Sequence, residues 1–503
     1  MTIKKLLPLI PILFGALFCI LFYDQGIGLN LVLFEVPLFL LLLPQLKALT
    51  KTGKLIGLLV MLSLVFVVVE HTALIISYHF FVLLLFTGVL ASPKVKDVIT
   101  AGLSTVVNFL SGTYHYFVGL RTMVDSNKAS KTIFKFFKLG VLPLLIVWIF
   151  AIIYRTSSPW FNEVAGRFLD MLGNGMEYFF KHLNPAMVFL FIVGLILSFL
   201  MLFATSGNFL KDQITNASET RKRIKNRFFT GKLNALTNEY KAGVILFSGL
   251  NILLLLVNML DIYWVWFNFN WTGQFLKQFV HEGTYLLLFS IIISAGLVLY
   301  FFRGNQHFLQ QVWLKRLAQA WMIQNVVLAI SVAVRNWWYV QYFGLAFKRI
   351  GVFYFLAFVV VVLLLVTIMV KKQKTLYFLH RHASLAALLI LFCMAVPNWH
   401  VIIAKYNFAH YKSAFVELNF IAKLDKTALP YMQKTEAELA EFAAKQNDLF
   451  RFKSRARYMT ESEFKTLVDD RIRLGLNELA NKHWLSWNLA EAKLFKQLKS
   501  LDK

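Results

Sequence analysis

Apolar runs of about twenty residues recur along the whole chain, and no other feature limits its fold so severely. A hydrocarbon layer takes roughly 20 apolar residues per helix, and lipid lets only helices or closed barrels cross it. About eleven segments approach that length: 6–22, 29–46, 55–69, 73–91, 139–154, 186–205, 242–266, 284–302, 317–334, 351–370 and 383–403. The fold class they predict is all-α, a polytopic integral membrane bundle of about 11 transmembrane helices. Composition agrees, since 58% hydrophobic and 16% charged residues over 503 positions exclude an ordinary soluble enzyme.

The formal net charge of +26 would point to nucleic acid in a soluble protein. Here Lys and Arg concentrate in alternate loops, at Lys4-Lys5, Lys47 to Lys54, Lys94 to Lys138, Arg221 to Lys232, Lys315-Arg316 and Lys371 to Lys374. That bias places the N-terminus and those loops in the cytoplasm and the chain after Ala404 outside, in a multi-pass inner-membrane protein. The run Arg221, Lys222, Arg223, Lys225, Arg227 has no aromatic platform beside it, so it reads as a topology signal and no nucleic-acid partner is expected. No small-residue cleavage site follows Lys4-Lys5, so the first apolar run is expected to remain as a helix. Cys19 and Cys393 sit in separate apolar runs and read as small core residues rather than a disulfide.

Four regions follow. Residues 1–91 make a four-span region, and 92–138 a cytoplasmic loop in which Ile99, Leu103, Val106, Leu110, Tyr114 and Phe117 recur at helical spacing. That stripe fits an amphipathic helix on the membrane surface, held to lipid by flanking Lys94, Lys96 and Arg121. A solvated helix packed on its own bundle is the alternative. Residues 139–403 hold seven spans and a second amphipathic helix opened by Ser158-Pro159. Residues 404–503 form a small soluble helical domain, with capping boxes at Thr435 to Glu438 and Thr460 to Glu463. Its apolar face is Phe464, Leu467, Ile472, Leu476 and Leu479, and Trp484 and Trp487 add an edge suited to an envelope partner.

Elimination bounds the chemistry. The chain has no phosphate-cradling G-x-x-x-x-G-K-[ST] and no G-x-S-x-G elbow. His281-Glu282 lacks the second His of a zinc helix, and His380 and His382 fall on opposite helix faces. No cofactor, metal or catalytic set is expected. What remains is charge at membrane depth, which costs about 2.5 to 3.5 kcal/mol per residue and is rarely there without a reason. Glu35, Asp261, Arg335, Lys348 and Arg349 are those charges, read either as a polar path or cleft, or as snorkelling and helix-paired groups. The last three lie in 334–352, beside Trp338 and Tyr342, where cations and rings suit an anionic lipid head or an aromatic belt with cation anchors.

The segment from Arg335-Asn336 through Tyr342, Gly344-Leu345 and Lys348-Arg349-Ile350-Gly351 resembles the signature of an uncharacterised bacterial family, the domain of unknown function four-one-seven-three. Phe301 to Asn305, Ala404 to Asn407, and Asp425-Lys426 with Ala428 to Pro430 are similar to further segments of it. The resemblance covers roughly Gly243 to Pro430 and implies a bacterial polytopic inner-membrane protein without an established activity. The function expected is non-enzymatic transport or sensing of a small or lipid-linked ligand in the envelope, with membrane lipids as partners. The alternatives are a membrane enzyme using His281, Glu282 and Asp261 on a lipid intermediate, and a scaffold acting through its C-terminal domain.

Overall fold

The computed structural model describes residues 7–125, 184–205, 218–221, 232–269, 275–303, 312–449 and 459–501, with isolated positions between 147 and 164. All regular structure among them is helical, with one isolated bridge between Thr220 and Lys374. The main helices before the tail are α1 (Ile10–Phe22), α2 (Leu29–Leu46), α3 (Lys51–Val69), α4 (Ala73–Ala91), α5 (Val98–Asp125), α6 (Pro185–Leu202), α7 (Lys232–Asp261), α8 (Phe275–Phe301), α9 (Val312–Phe343), α10 (Phe347–Lys371) and α11 (Leu376–Ala395). Eight of the described helices, α2, α3, α4, α6, α7, α9, α10 and α11, are long and apolar enough to cross a membrane. Shorter apolar helices lie in α1 and over Tyr285–Phe301. The chain is therefore a polytopic membrane protein. The span expected over 139–154, most of the helix opened by Ser158, and the basic residues 222–227 lie outside the described residues.

Local chemistry sets the helix starts. The side chains of Thr50, Thr72, Asn184 and Thr375 each accept a backbone N–H from the first turn that follows. Two boundaries differ from the expected spans. α9 runs nine residues past Val334 to Phe343, so Arg335, Trp338 and Tyr342 ride on a helix, and only Gly344 to Ala346 turn the chain. The span expected over 383–403 begins earlier, at Leu376, and breaks at Pro397, which has no N–H to continue it. Asn398 then caps a new helix, α12 (Trp399–Ala409).

Two apolar clusters result. The first joins α1 to α6 through Phe18, Phe34, Ile56, Val60, Val82 and Phe86. The second joins α7 to α10 through Phe247, Ile291, Met322, Val332 and Leu363. α11 packs on both α10 and α4. Between apolar helices in lipid, close packing and hydrogen bonds replace the hydrophobic drive. Gly88 of α4 shows how close: a Cβ there would stand 2.1 Å from the Ala101 carbonyl oxygen.

α5 combines the two readings of its sequence in an unexpected way. It packs on its bundle through its polar side, where Ser104 and Asn108 are fully buried. Asn108 Nδ2 donates to the Leu200 carbonyl at 2.9 Å, and the Thr205 N–H donates to Asn108 Oδ1 at 2.8 Å. The apolar stripe Ile99, Leu103, Val106, Leu110, Tyr114 and Phe117 faces outward and exposed. Cys393 is also exposed, so it is not a core residue, although its carbonyl accepts from the Tyr354 hydroxyl of α10 at 3.2 Å.

The basic loops gather at one end of the bundle. There Thr52 donates to the Lys96 carbonyl at 2.9 Å, and Arg381 pairs with Glu219. The tail gathers at the other end. Its helices α13 (Glu436–Leu449), α14 (Glu461–Ala480) and α15 (Leu489–Leu501) enclose Phe464, Val468, Ile472 and Leu498 together with Ile350 and Ile403. Both capping boxes form, Thr460 with Glu463 and Thr435 with Glu438. The tail grips the first bundle where the Leu29 N–H donates to the Trp487 carbonyl at 2.9 Å.

Candidate functional site

α7 and α9 lie side by side and run in the same direction, since their contacts advance together. Asn251 Nδ2 donates to the Leu317 carbonyl at 3.0 Å, Asn258 Nδ2 to the Gln324 carbonyl at 3.1 Å, and Trp338 Nε1 to the Val265 carbonyl at 2.8 Å. Gln324 Nε2 donates to Asn251 Oδ1 at 2.8 Å, and Trp266 Nε1 to the Ser331 hydroxyl at 3.0 Å. Positions 251, 258 and 265 on α7, like 317, 324, 331 and 338 on α9, repeat every seven residues, the spacing that keeps one face of each parallel helix on the other. At the tail end the seam closes on an ion pair: the Arg335 guanidinium donates to Asp261 Oδ1, with both residues buried.

Several polar atoms along this seam are sealed from solvent and have no hydrogen-bond partner among the described residues. They are Asn258 Oδ1, Asp261 Oδ2 and Gln324 Oε1, with Asn325 Oδ1 and Trp321 Nε1 on the neighbouring turns of α9. Each such group costs about 1 to 3 kcal/mol when left unmet. Four of the five are oxygens, which can accept from a donor or a cation.

The tail end of the seam gathers most of the residues singled out in the sequence. α7 ends in a π-turn over Ile262–Phe267 that presents the Val265 carbonyl to Trp338, and Trp338 stacks on Phe269 at 5.2 Å with Tyr342 alongside. Arg349 donates to the Phe343 carbonyl at 2.6 Å and to the Gly344 carbonyl, so its charge meets the negative end of α9. It also lies over the Tyr339 ring, 4.3 Å from the centroid. Asn336 Nδ2 returns a bond to the Arg349 carbonyl at 2.9 Å. Gly344 makes the turn at φ +74°, with the Asn407 side chain bridging both backbone groups of Leu345. A Cβ at Gly344 would stand 2.5 Å from Asn407 Oδ1, so glycine is required twice over. Arg335 and Arg349 thus spend their charge on protein acceptors, while Lys348 is exposed. The side chains of His281 and Glu282 lie outside the described residues; Gly283 beside them faces the Arg335 guanidinium.

Glu35 stands apart, in the first bundle. Its Oε1 is 2.8 Å from His79 Nε2, and His79 Nδ1 is 2.9 Å from the Ser63 hydroxyl. The three residues come from α2, α4 and α3, and all are at most 1% exposed. Sequence reasoning singled out Glu35 but gave His79 and Ser63 no role, and it passed over Asn251, Asn258, Gln324, Asn325 and Ser331. The seven-residue spacing of the seam was the available signal.

The family model of the domain of unknown function DUF4153 matches residues 29–435. The chain belongs to that family. The match covers about four-fifths of the chain and includes both polar constellations, extending beyond the resemblance into the first bundle. It bears out an uncharacterised polytopic membrane family, under the number 4153 in place of four-one-seven-three. Comparison with curated proteins and with solved structures finds no match. Membership in DUF4153 brings no activity with it, so function rests on the geometry of the two constellations.

Proposed function

We propose that this membrane protein is a transporter, not an enzyme, and that it moves a small polar solute or cation along the seam between α7 and α9. The observation that carries this reading is the row of sealed acceptors at Asn258, Asp261, Gln324 and Asn325. Asn251 and Gln324 pair with each other and so fasten the two helices, while the side-chain oxygens of Asn258, Gln324 and Asn325 are left open. The Asp261–Arg335 pair serves as the gate at the tail end. A lipid-linked ligand is the weaker version, because Arg335 and Arg349 are engaged by protein groups. The concentration of Lys and Arg in alternate loops supports a cytoplasmic face for those loops, an outward tail and a place in the cell envelope.

The test is flux in liposomes holding the full chain, with sodium, potassium, ammonium and small zwitterions as probes. Wild type passes at least one probe faster than empty liposomes, and the double variant Asn258→Leu with Asn325→Leu abolishes that flux while remaining folded. Equal flux in both overturns the reading. Sensing is the second reading, favoured by the tail's grip on both bundles, at Leu29 through Trp487 and at Leu345 through Asn407. The exposed Trp484 and Trp487 would then meet lipid head groups or an envelope partner.

A further inference from the structure

We infer that Glu35, His79 and Ser63 form a proton-binding site that loads and unloads inside the first bundle. This rests on the geometry of the triad alone and does not need the seam to conduct.

The hydrogen-bond directions give the argument. Ser63 Oγ stands 2.9 Å from both the Val60 carbonyl and His79 Nδ1, so its single proton has two acceptors to choose between. In the loaded state the imidazole carries both N–H groups. Nε2–H donates to the Glu35 carboxylate, Nδ1–H donates to Ser63 Oγ, and the Ser63 hydroxyl donates to Val60. The group is then neutral overall. In the unloaded state Nδ1 has given up its proton, and the Ser63 hydroxyl turns from Val60 to donate to Nδ1. Nε2–H still donates to Glu35. One proton has left and every bond within the triad is still made, with the same heavy-atom positions serving both states. A purely structural pair needs only one of them.

Glu35 Oε2 adds a second, independent observation. It is sealed from solvent and has no hydrogen-bond partner among the described residues, so the site keeps one open acceptor. The surrounding elements supply little competing charge. α1 and α6 carry no charged residue, and Cys19 is the one titratable group on α1. α3 bears Lys51 and Lys54 at its basic end. α4 adds Tyr78, whose hydroxyl donates to the Leu388 carbonyl. α5 carries Tyr114, His115, Tyr116, Arg121 and Asp125, and α11 carries Tyr377, His380, Arg381 and His382 near the basic end, with Cys393 farther along. Glu70 and His71 lie past the tail end of α3, and α15, which touches α3 there, brings Glu491 and lysines.

Nitrogen-15 NMR of the full chain in lipid nanodiscs, with the His79 signals identified by their loss in His79→Gln, reads the site directly. Across a pH series the loaded and unloaded states appear as both nitrogens protonated and as Nε2–H alone, and the His79 N–H groups exchange with deuterium oxide. Glu35→Gln removes the carboxylate that balances the imidazolium, so the loaded signal disappears throughout. A single unchanging tautomer in the wild type, or N–H groups that never exchange, overturns the inference and leaves a static pair. Because the wild type supplies the deciding measurement, the outcome does not depend on either variant folding, and flux through the α7–α9 seam is a separate readout.

Discussion

The two bundles handle buried polarity in opposite ways. In the first, three side chains from three helices close on one another at a point, while other buried polar side chains such as Asn30, Asn108 and Ser198 spend their donors on backbone carbonyls. In the second, polar groups are strung along two parallel helices over the length of the seam and end in an ion pair. A point holds one charge at one depth. A line offers successive partners to something that changes depth. The contrast shows that the number of polar residues in a membrane bundle says less than whether they share a level or succeed one another.

Removing one member of each constellation tests that contrast. The largest effect is expected for Arg335→Ala, which strands the buried Asp261 carboxylate and lowers stability by about 5 kcal/mol, the upper end for a broken buried pair. Arg335→Met with Asp261→Leu recovers most of that loss while ending flux, and thermal unfolding in detergent with the liposome assay checks both. His79→Ala comes next, at about 3 kcal/mol, because Glu35 then keeps no partner on Oε1. If the two losses are equal, the point and the line are energetically alike and the comparison fails. Asn258→Leu is expected to cost only about 0.6 kcal/mol, the average for an interhelical hydrogen bond in lipid, yet to cut flux at least tenfold. A stability loss as large as that of His79→Ala would make the seam glue.

The smallest effect serves as a control outside both constellations, where the tail meets the loop between α3 and α4. Burial, with the nearby Lys426 ammonium, pushes Lys482 down to about 8 from 10.5, despite its pairing with Glu491. Between those values the unfolded chain holds more protons, so tail stability rises as pH climbs from about 8 toward 10.5. Burial first and the Lys482 charge second also lower His71 below its usual 6.5. Its contribution is present above 6.5 and is lost as pH falls below it. Limited proteolysis of the tail across that range reads both slopes, and the α7–α9 hydrogen bonds stay unchanged.

The apolar runs were legible because helix length in lipid is set by thickness, and Glu35, Asp261 and Arg335 because charge at that depth is costly. What they touch was not legible. Glu35 and His79 are 44 residues apart in sequence and Asp261 and Arg335 are 74 apart, and no local pattern links them. Asn251, Asn258, Gln324 and Ser331 were overlooked because neutral amides and hydroxyls carry no charge penalty to flag them. The stripe on α5 was read correctly as a stripe. It faces outward, as a lipid-facing stripe must, and the polar side is the one that takes protein partners. At 334–352 the aromatic and cationic composition pointed outward to lipid, whereas Arg349 and Trp338 satisfy backbone carbonyls that only the folded helix ends present.

The inward-facing amide of Asn108 also sets an order of assembly. Its partners, the Leu200 carbonyl and the Thr205 N–H, lie 92 and 97 residues further along the chain. At roughly 5 to 20 residues per second, α5 leaves the ribosome about 5 to 20 s before the partners of Asn108 exist, while Ser104 and Thr105 already have Ser92 and the Leu84 carbonyl. Through that interval its outward stripe gives it a place to wait against the bilayer. Only when α6 arrives beside α1 does the first bundle close.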